Sequence, residues 1–267
     1  ELRGDFGGVL EVYEQANQYL ESHPEYFQAG PAARLYTKQM SALLHLGRYK
    51  DGQIAAERNL QRIPEEDSAW FRFMEFYLLL SLHTDNLVSS VAILNTVTTH
   101  KRYRKLSTPG SEKWLLYEGY LHYIFALEAV RTPELTRPKR EPGRVSQLLE
   151  RPISHAIDRR PFTFHVLLLR LLQALNRGRK SAILDQITQL HTFTVSYLRK
   201  EPYFRQNQFV RLLHQLAKAE LQPDQLSNTR KYEERLRERP FFYRGRLSEL
   251  EILPFERLWK LIREQVK

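Results

Sequence analysis

Residues 33–66 read ARLYTKQMSALLHLGRYKDGQIAAERNLQRIPEE, and the spacing within this stretch decides the fold. Leu35, Tyr36, Met40, Leu43, Leu44 and Leu46 recur at helical intervals and form a broad apolar stripe, with Gln39 its one polar interruption. Gly47 stands where a helix ends on a left-handed residue. A second stripe follows through Ile54, Ala55, Ala56 and Leu60. Pro64 closes it, because proline lacks an amide hydrogen and restrains the residue before it. The stretch is a helix–turn–helix hairpin.

Working outward, the same grammar recurs. Trp70, Phe73, Met74, Phe76, Tyr77 and Leu80 make a first helix, His83-Thr84-Asp85-Asn86 a turn, and Leu87 through Val97 a return helix. A third hairpin is expected to open at Ser111, a suitable N-cap, and to run through Trp114, Tyr117, Leu121 and Phe125 to about Val130. Its return helix, Val145–Ile157, follows the Pro-rich segment 132–143, which reads as an exposed loop. Helices are further expected at Phe162–Asn176, Ser181–Leu198, Phe204–Ala219 and Pro223–Arg237, with a last one after Pro254. Phe6–Glu21 before Pro24 reads as an incomplete opening hairpin. The expectation is an all-α chain of about six hairpins in one domain, with segment 132–143 the only candidate boundary.

The string Leu46-Gly47-Arg48-Tyr49-Lys50-Asp51 resembles the inter-helix turn of a tetratricopeptide repeat. Tyr36 falls near the first-helix aromatic of that motif and Pro64 at its closing proline, and residues 33–66 span one 34-residue unit. Trp70 takes the corresponding aromatic place one period later. Met40 and Asn59 depart from the small residues the family prefers, and Gly52 replaces its usual alanine. As motif the resemblance covers residues 33–100. It implies an α-solenoid, a right-handed superhelix that grips a partner along the concave face lined by first helices. Lys38, His45, Arg72, Glu75, Glu118 and His122 are the candidate groove residues on that basis.

Composition narrows the classes. With 42% hydrophobic and 27% charged residues the 267-residue chain falls among soluble globular proteins rather than disordered ones. Only 11 glycines argue against a β-rich chain of this length. The absence of cysteine excludes disulfides and thiolate metal sites. No apolar run approaches the roughly 18 residues that span a bilayer. Because the chain opens at Glu1 without a charged-then-apolar leader, the expected compartment is the cytoplasm.

Charge is uneven. Residues 1–100 hold 8 Lys+Arg against 13 Asp+Glu, net −5, whereas residues 101–267 hold 33 against 18, net +15. Such asymmetry marks either solvated helix faces or a surface for a polyanion. Lys101, Arg102, Arg104 and Lys105 cluster in one connection. Lys139 and Arg140 lie in the Pro-rich segment, and Arg179 and Lys180 in a turn. Tyr103 and the run Phe241-Phe242-Tyr243, interleaved with arginines, would suit base stacking.

Catalytic patterns are missing. There is no Gly-rich phosphate loop, no HExxH and no nucleophile elbow, and the nine histidines are scattered. Glu118 and His122 share a helix face, where a partly buried polar pair is the plain reading. No enzymatic activity, cofactor or metal is expected. The leading expectation is a scaffold for another protein or an acidic peptide, and the alternative is a nucleic-acid-binding helical repeat using residues 101–267.

Overall fold

The structure is a computed structural model, and it describes residues 5–67, 69–128, 138, 143–199, 201–243 and 246–266. The described residues are all-α, with twelve helices and no strand. Their packing forms two compact units, Glu1–Tyr103 with Phe242–Arg244, and Arg104–Phe241 with Gly245–Lys267. The division falls in the basic connection at Tyr103–Arg104. Apart from Pro138 and Gly143, the Pro-rich segment 132–143 lies outside the described residues.

In the first unit α1 (Phe6–Ser22) pairs with α2 (Ala29–His45), which pairs with α3 (Tyr49–Leu60). A second hairpin follows, α4 (Trp70–His83) and α5 (Leu87–Thr99), and α4 packs against both α2 and α3. Both reversals use one device. Gly47 has φ +68°, the Arg48 amide donates to the Leu43 carbonyl (2.9 Å) and the Gly47 amide to Leu44 (3.3 Å). Asp85 repeats it at φ 59°, with the Asn86 amide donating to Ser81 (2.9 Å). The Asn86 side chain then caps α5 by accepting from the Ser89 amide (3.0 Å).

These two turns lie 38 residues apart, although Tyr36 and Trp70 are 34 apart. Trp70 is the first residue of α4, whereas Tyr36 lies in the middle of α2. Met74 stands at the distance from its turn that Tyr36 has from Gly47. The second hairpin is therefore displaced by about one helical turn from a strict 34-residue repeat. At Gly52 an added Cβ would lie 2.5 Å from Leu80, so the missing side chain lets α3 approach α4 closely.

The second unit contains α6 (Thr108–Glu128), α7 (Gly143–Glu150), α8 (Arg160–Arg177), α9 (Lys180–Tyr197), α10 (Phe204–Lys218), α11 (Arg230–Glu238) and α12 (Phe255–Gln265). Three expected boundaries move. Helix α6 starts at Thr108 rather than Ser111, with Ser107 Oγ accepting from the Gly110 amide (3.4 Å). Helix α7 stops at Glu150, not Ile157, because Pro152 cannot continue it. Pro223–Gln225 is a separate 3-10 turn, and α11 begins only at Arg230. Helix α8 packs against α6, α7 and α9, and its Phe164 meets Phe255, which stacks on Phe209 of α10 (4.6 Å, 8°).

Two features fix this core. Arg205 donates to the carboxylates of Glu251 and Glu256 and to the carbonyls of Leu236 and Arg239, tying the start of α10 to the end of α11 and the start of α12. On α8, His165 is buried 3.3 Å from the Tyr120 hydroxyl, and burial pushes its pKa down from 6.5 to about 3.

In the unfolded chain His165 takes up a proton near pH 6.5, while in the core it stays neutral until about pH 3. The stability it contributes is full above pH 6.5 and declines as pH falls between those values, by about 1.4 kcal/mol per pH unit. Urea midpoints measured at pH 7 and pH 5 should fall less for His165→Gln than for the parent chain. At Gly119 an added Cβ would lie 2.9 Å from Leu169 and 3.2 Å from Val145. Gly119→Val is expected to cost about 1–3 kcal/mol by overpacking, read as a lower thermal midpoint. Gly47→Ala meets nothing within 4 Å and should cost only the left-handed penalty, about 1–2 kcal/mol.

Candidate peptide-binding site

The site in the first unit starts from the last turn of α2. His45 stacks face to face on Phe6 of α1, with centroids 4.1 Å apart and planes 3° apart. Its Nδ1 lies 2.6 Å from the Ser41 carbonyl, which can only accept, so Nδ1 carries the proton. Nε2 is therefore a lone-pair acceptor, and it receives the Tyr243 backbone amide at 3.1 Å. The imidazole is thus neutral, in one tautomer, with both ring nitrogens used.

Tyr243 is fully buried against α4. Its hydroxyl donates to Glu75 Oε1, and the other carboxylate oxygen lies 3.4 Å from an Arg72 guanidinium nitrogen. That guanidinium sits over the rings of Phe76 (4.7 Å) and Tyr243 (5.8 Å). Glu75 is only 5% exposed, so its charge stands on donors supplied by Arg72 and Tyr243. Phe242 sets its edge against His45 (4.5 Å) and Phe6 (5.6 Å) and keeps 37% of its surface in solvent.

Of the six groove residues expected from sequence, His45, Arg72 and Glu75 come together here. Lys38 is exposed on α2, two helical turns before His45. Glu118 and His122 lie in the second unit on α6, with His122 Nε2 3.9 Å from Glu118 Oε1. Glu118 is completely buried, and neither of its oxygens has a hydrogen-bond partner.

The expected polyanion contacts disperse. Lys101 pairs with Glu66 (3.1 Å), and Arg102 donates to the carbonyls of Glu65, Glu66 and Asp67, so both brace the loop before α4. Arg104 and Lys105 are exposed in the 3-10 turn Tyr103–Lys105. Lys139 and Arg140 lie outside the described residues. Arg179 lines a cleft of about 430 Å³ with Arg170, Arg177 and Glu150, while Lys180 pairs with Glu220 at 3.2 Å. The aromatics suited to base stacking are largely withdrawn: Tyr103, Phe241 and Tyr243 are buried, and only Phe242 is partly exposed.

Sequence reading passed over Phe6, Ser41 and Phe76 as site residues, and it placed Tyr243 in a different role. The aromatic run at 241–243 was the one visible signal, because three adjacent rings in a Pro- and Arg-rich loop need a surface to bury them. Among the described residues no three His, Asp or Glu side chains converge on a metal-sized space, and no helix is long and apolar enough to cross a membrane. Comparison with family models, with curated proteins and with solved structures returns no match.

Removing the Tyr243 hydroxyl strips a donor from a buried carboxylate. Tyr243→Phe is expected to destabilise the seat by about 1–3 kcal/mol. The readout is faster amide exchange at residues 241–243, with exchange in α8 unchanged. Glu75→Gln keeps an acceptor oxygen and should be milder than Glu75→Leu.

Proposed function

We propose that the first unit is a non-enzymatic peptide-binding module of the tetratricopeptide-like kind, which receives an aromatic segment against the first helices of its hairpins. The observation that carries this reading is the seating of Phe242 and Tyr243 by His45, Arg72, Glu75 and Phe6. The neighbour order of α2–α5, in which α2 touches α3 and α4 while α3 also touches α4, suits stacked hairpins of a right-handed superhelix. In chemical terms the site selects a buried phenol that can donate to Glu75, a backbone amide aimed at His45, and a preceding aromatic edge. An incoming partner segment with that pattern competes with the chain's own residues. The affinity it displays is lowered by the fraction of time the seat is already filled.

The test uses a labelled peptide with the sequence of residues 239–244, Arg-Pro-Phe-Phe-Tyr-Arg. The 267-residue chain carrying Phe242→Ala and Tyr243→Ala should bind it at least about tenfold more tightly than the parent chain, a gap of ~1.4 kcal/mol. Adding Glu75→Ala to that variant should remove the gain. Equal, weak binding by all three proteins would sink the reading.

A further inference from the structure

The second unit offers an independent site. Along the pair α9 and α10, a cleft of about 400 Å³ is closed on one side by α11. Each of these helices or its end contributes one guanidinium: Arg199 just after α9, Arg211 from α10 and Arg235 from α11. Among the described residues none of the three forms an ion pair. Their neighbours behave differently, since Arg205 holds Glu251 and Glu256, Arg230 holds Glu234, Arg237 holds Glu233 and Arg239 holds Glu201. The one carboxylate lining the cleft, Glu201, is the one committed to Arg239. Three cations sharing a concavity whose one carboxylate is already paired elsewhere repel one another, and a bound anion relieves that repulsion.

Two further observations point the same way. Gln208 lines the cleft, is only 4% exposed, and has a side-chain carbonyl oxygen with no hydrogen-bond partner. A buried carbonyl oxygen left without a donor is costly, and a ligand hydroxyl that donates to it removes the cost. About one turn away on the same two helices, His191 and His214 stack at 4.0 Å with planes 8° apart. His191 is four residues before Val195, which lines the cleft, and His214 three residues after Arg211. Burial, then Lys218 and Arg211, hold the His191 pKa below its ordinary value; burial, then His191 and Lys218, do so for His214. Beyond burial, the charges acting on the histidine pair come from basic residues, Lys218 and Arg211 on His191 and Lys218 on His214.

We propose that this cleft binds a compound or headgroup carrying clustered phosphate groups, with Arg199, Arg211 and Arg235 contacting the phosphates and Gln208 a ligand hydroxyl. Guanidinium forks match phosphate oxygens in pairs, and the volume suits a small ligand rather than an extended chain. An anion in the groove offsets the charge that now disfavours protonation of His191 and His214, so binding strengthens as pH falls.

The experiment is calorimetric titration of the full chain with sodium tripolyphosphate at constant ionic strength. Arg211→Gln and Arg235→Gln should each weaken binding about tenfold or more, whereas Arg230→Gln, whose charge is already paired with Glu234, should leave it unchanged. Binding should be tighter at pH 5.5 than at pH 7.5, and His191→Gln with His214→Gln should flatten that difference. Vesicles containing phosphatidylinositol bisphosphate distinguish the source. Sedimentation with them that depends on Arg211 and Arg235 assigns a lipid headgroup, and tripolyphosphate binding without it assigns a soluble compound. Equal affinity in Arg211→Gln, Arg235→Gln and Arg230→Gln would overturn the proposal. So would a single-stranded oligonucleotide that binds all variants alike while tripolyphosphate does not bind, since that is the behaviour of a diffuse basic surface.

Discussion

A helix can fold back on its own return helix only if its last carbonyls find donors while the chain changes direction, and everything in the first unit depends on how that is done. Gly47 and Asp85 both enter the left-handed region and let the next amide reach back five residues. Glycine takes that conformation without strain, and aspartate is among the few other residues that tolerate it. With both reversals fixed, α2 and α4 lie against each other, and the last turn of α2 comes near the middle of α4 through Tyr243. His45 and Glu75 can then act on a single segment although they sit 30 residues apart in sequence.

Two polar residues that stand out in the apolar stripes of the first unit are hydrogen-bonded to each other in its core. Gln39 interrupts an apolar stripe, and Asn59 replaces a small residue of the motif. In the fold they answer each other: the Asn59 amide donates to Gln39 Oε1 and to the Tyr13 hydroxyl, each at 3.3 Å. Each residue read alone looks like a defect. Together with a tyrosine from α1 they form a hydrogen-bonded set in the core, in which Asn59 Oδ1 alone is left unpartnered, and α1 is thereby more than an incomplete hairpin.

How much was legible follows from the range of each interaction. Hairpins set by local periodicity, Gly47 and Pro64 could be read from one window of sequence. So could the all-α class, because few glycines and long Leu-rich stripes leave no other choice. Boundaries governed by a proline or an early cap were misplaced, by three residues at Thr108 and by seven at Glu150 and Arg230. The site divides in the same way. His45, Arg72 and Glu75 follow from helix position, but their occupant lies 198 residues from His45. No local pattern links two such distant points. The charge excess of the second part was plain in composition. The grouping of Arg199, Arg211 and Arg235 was not, because it gathers one residue from each of three neighbouring elements, while Lys101 and Arg102 of the conspicuous run bind the protein's own carbonyls and carboxylates.

The first unit is not contiguous in the chain, and this has a consequence for its birth on the ribosome. Residues up to Tyr103 leave the exit tunnel about 140 residues before Tyr243 follows. At ordinary rates of synthesis that interval lasts roughly 7–30 s, long compared with helix formation and hairpin packing. Throughout it, Glu75 lacks the Tyr243 hydroxyl and His45 Nε2 lacks the Tyr243 amide, although Phe6, made earlier, is there to stack on the imidazole. The first unit therefore packs most of its helices well before the residues that complete it, Phe242 and Tyr243, are made.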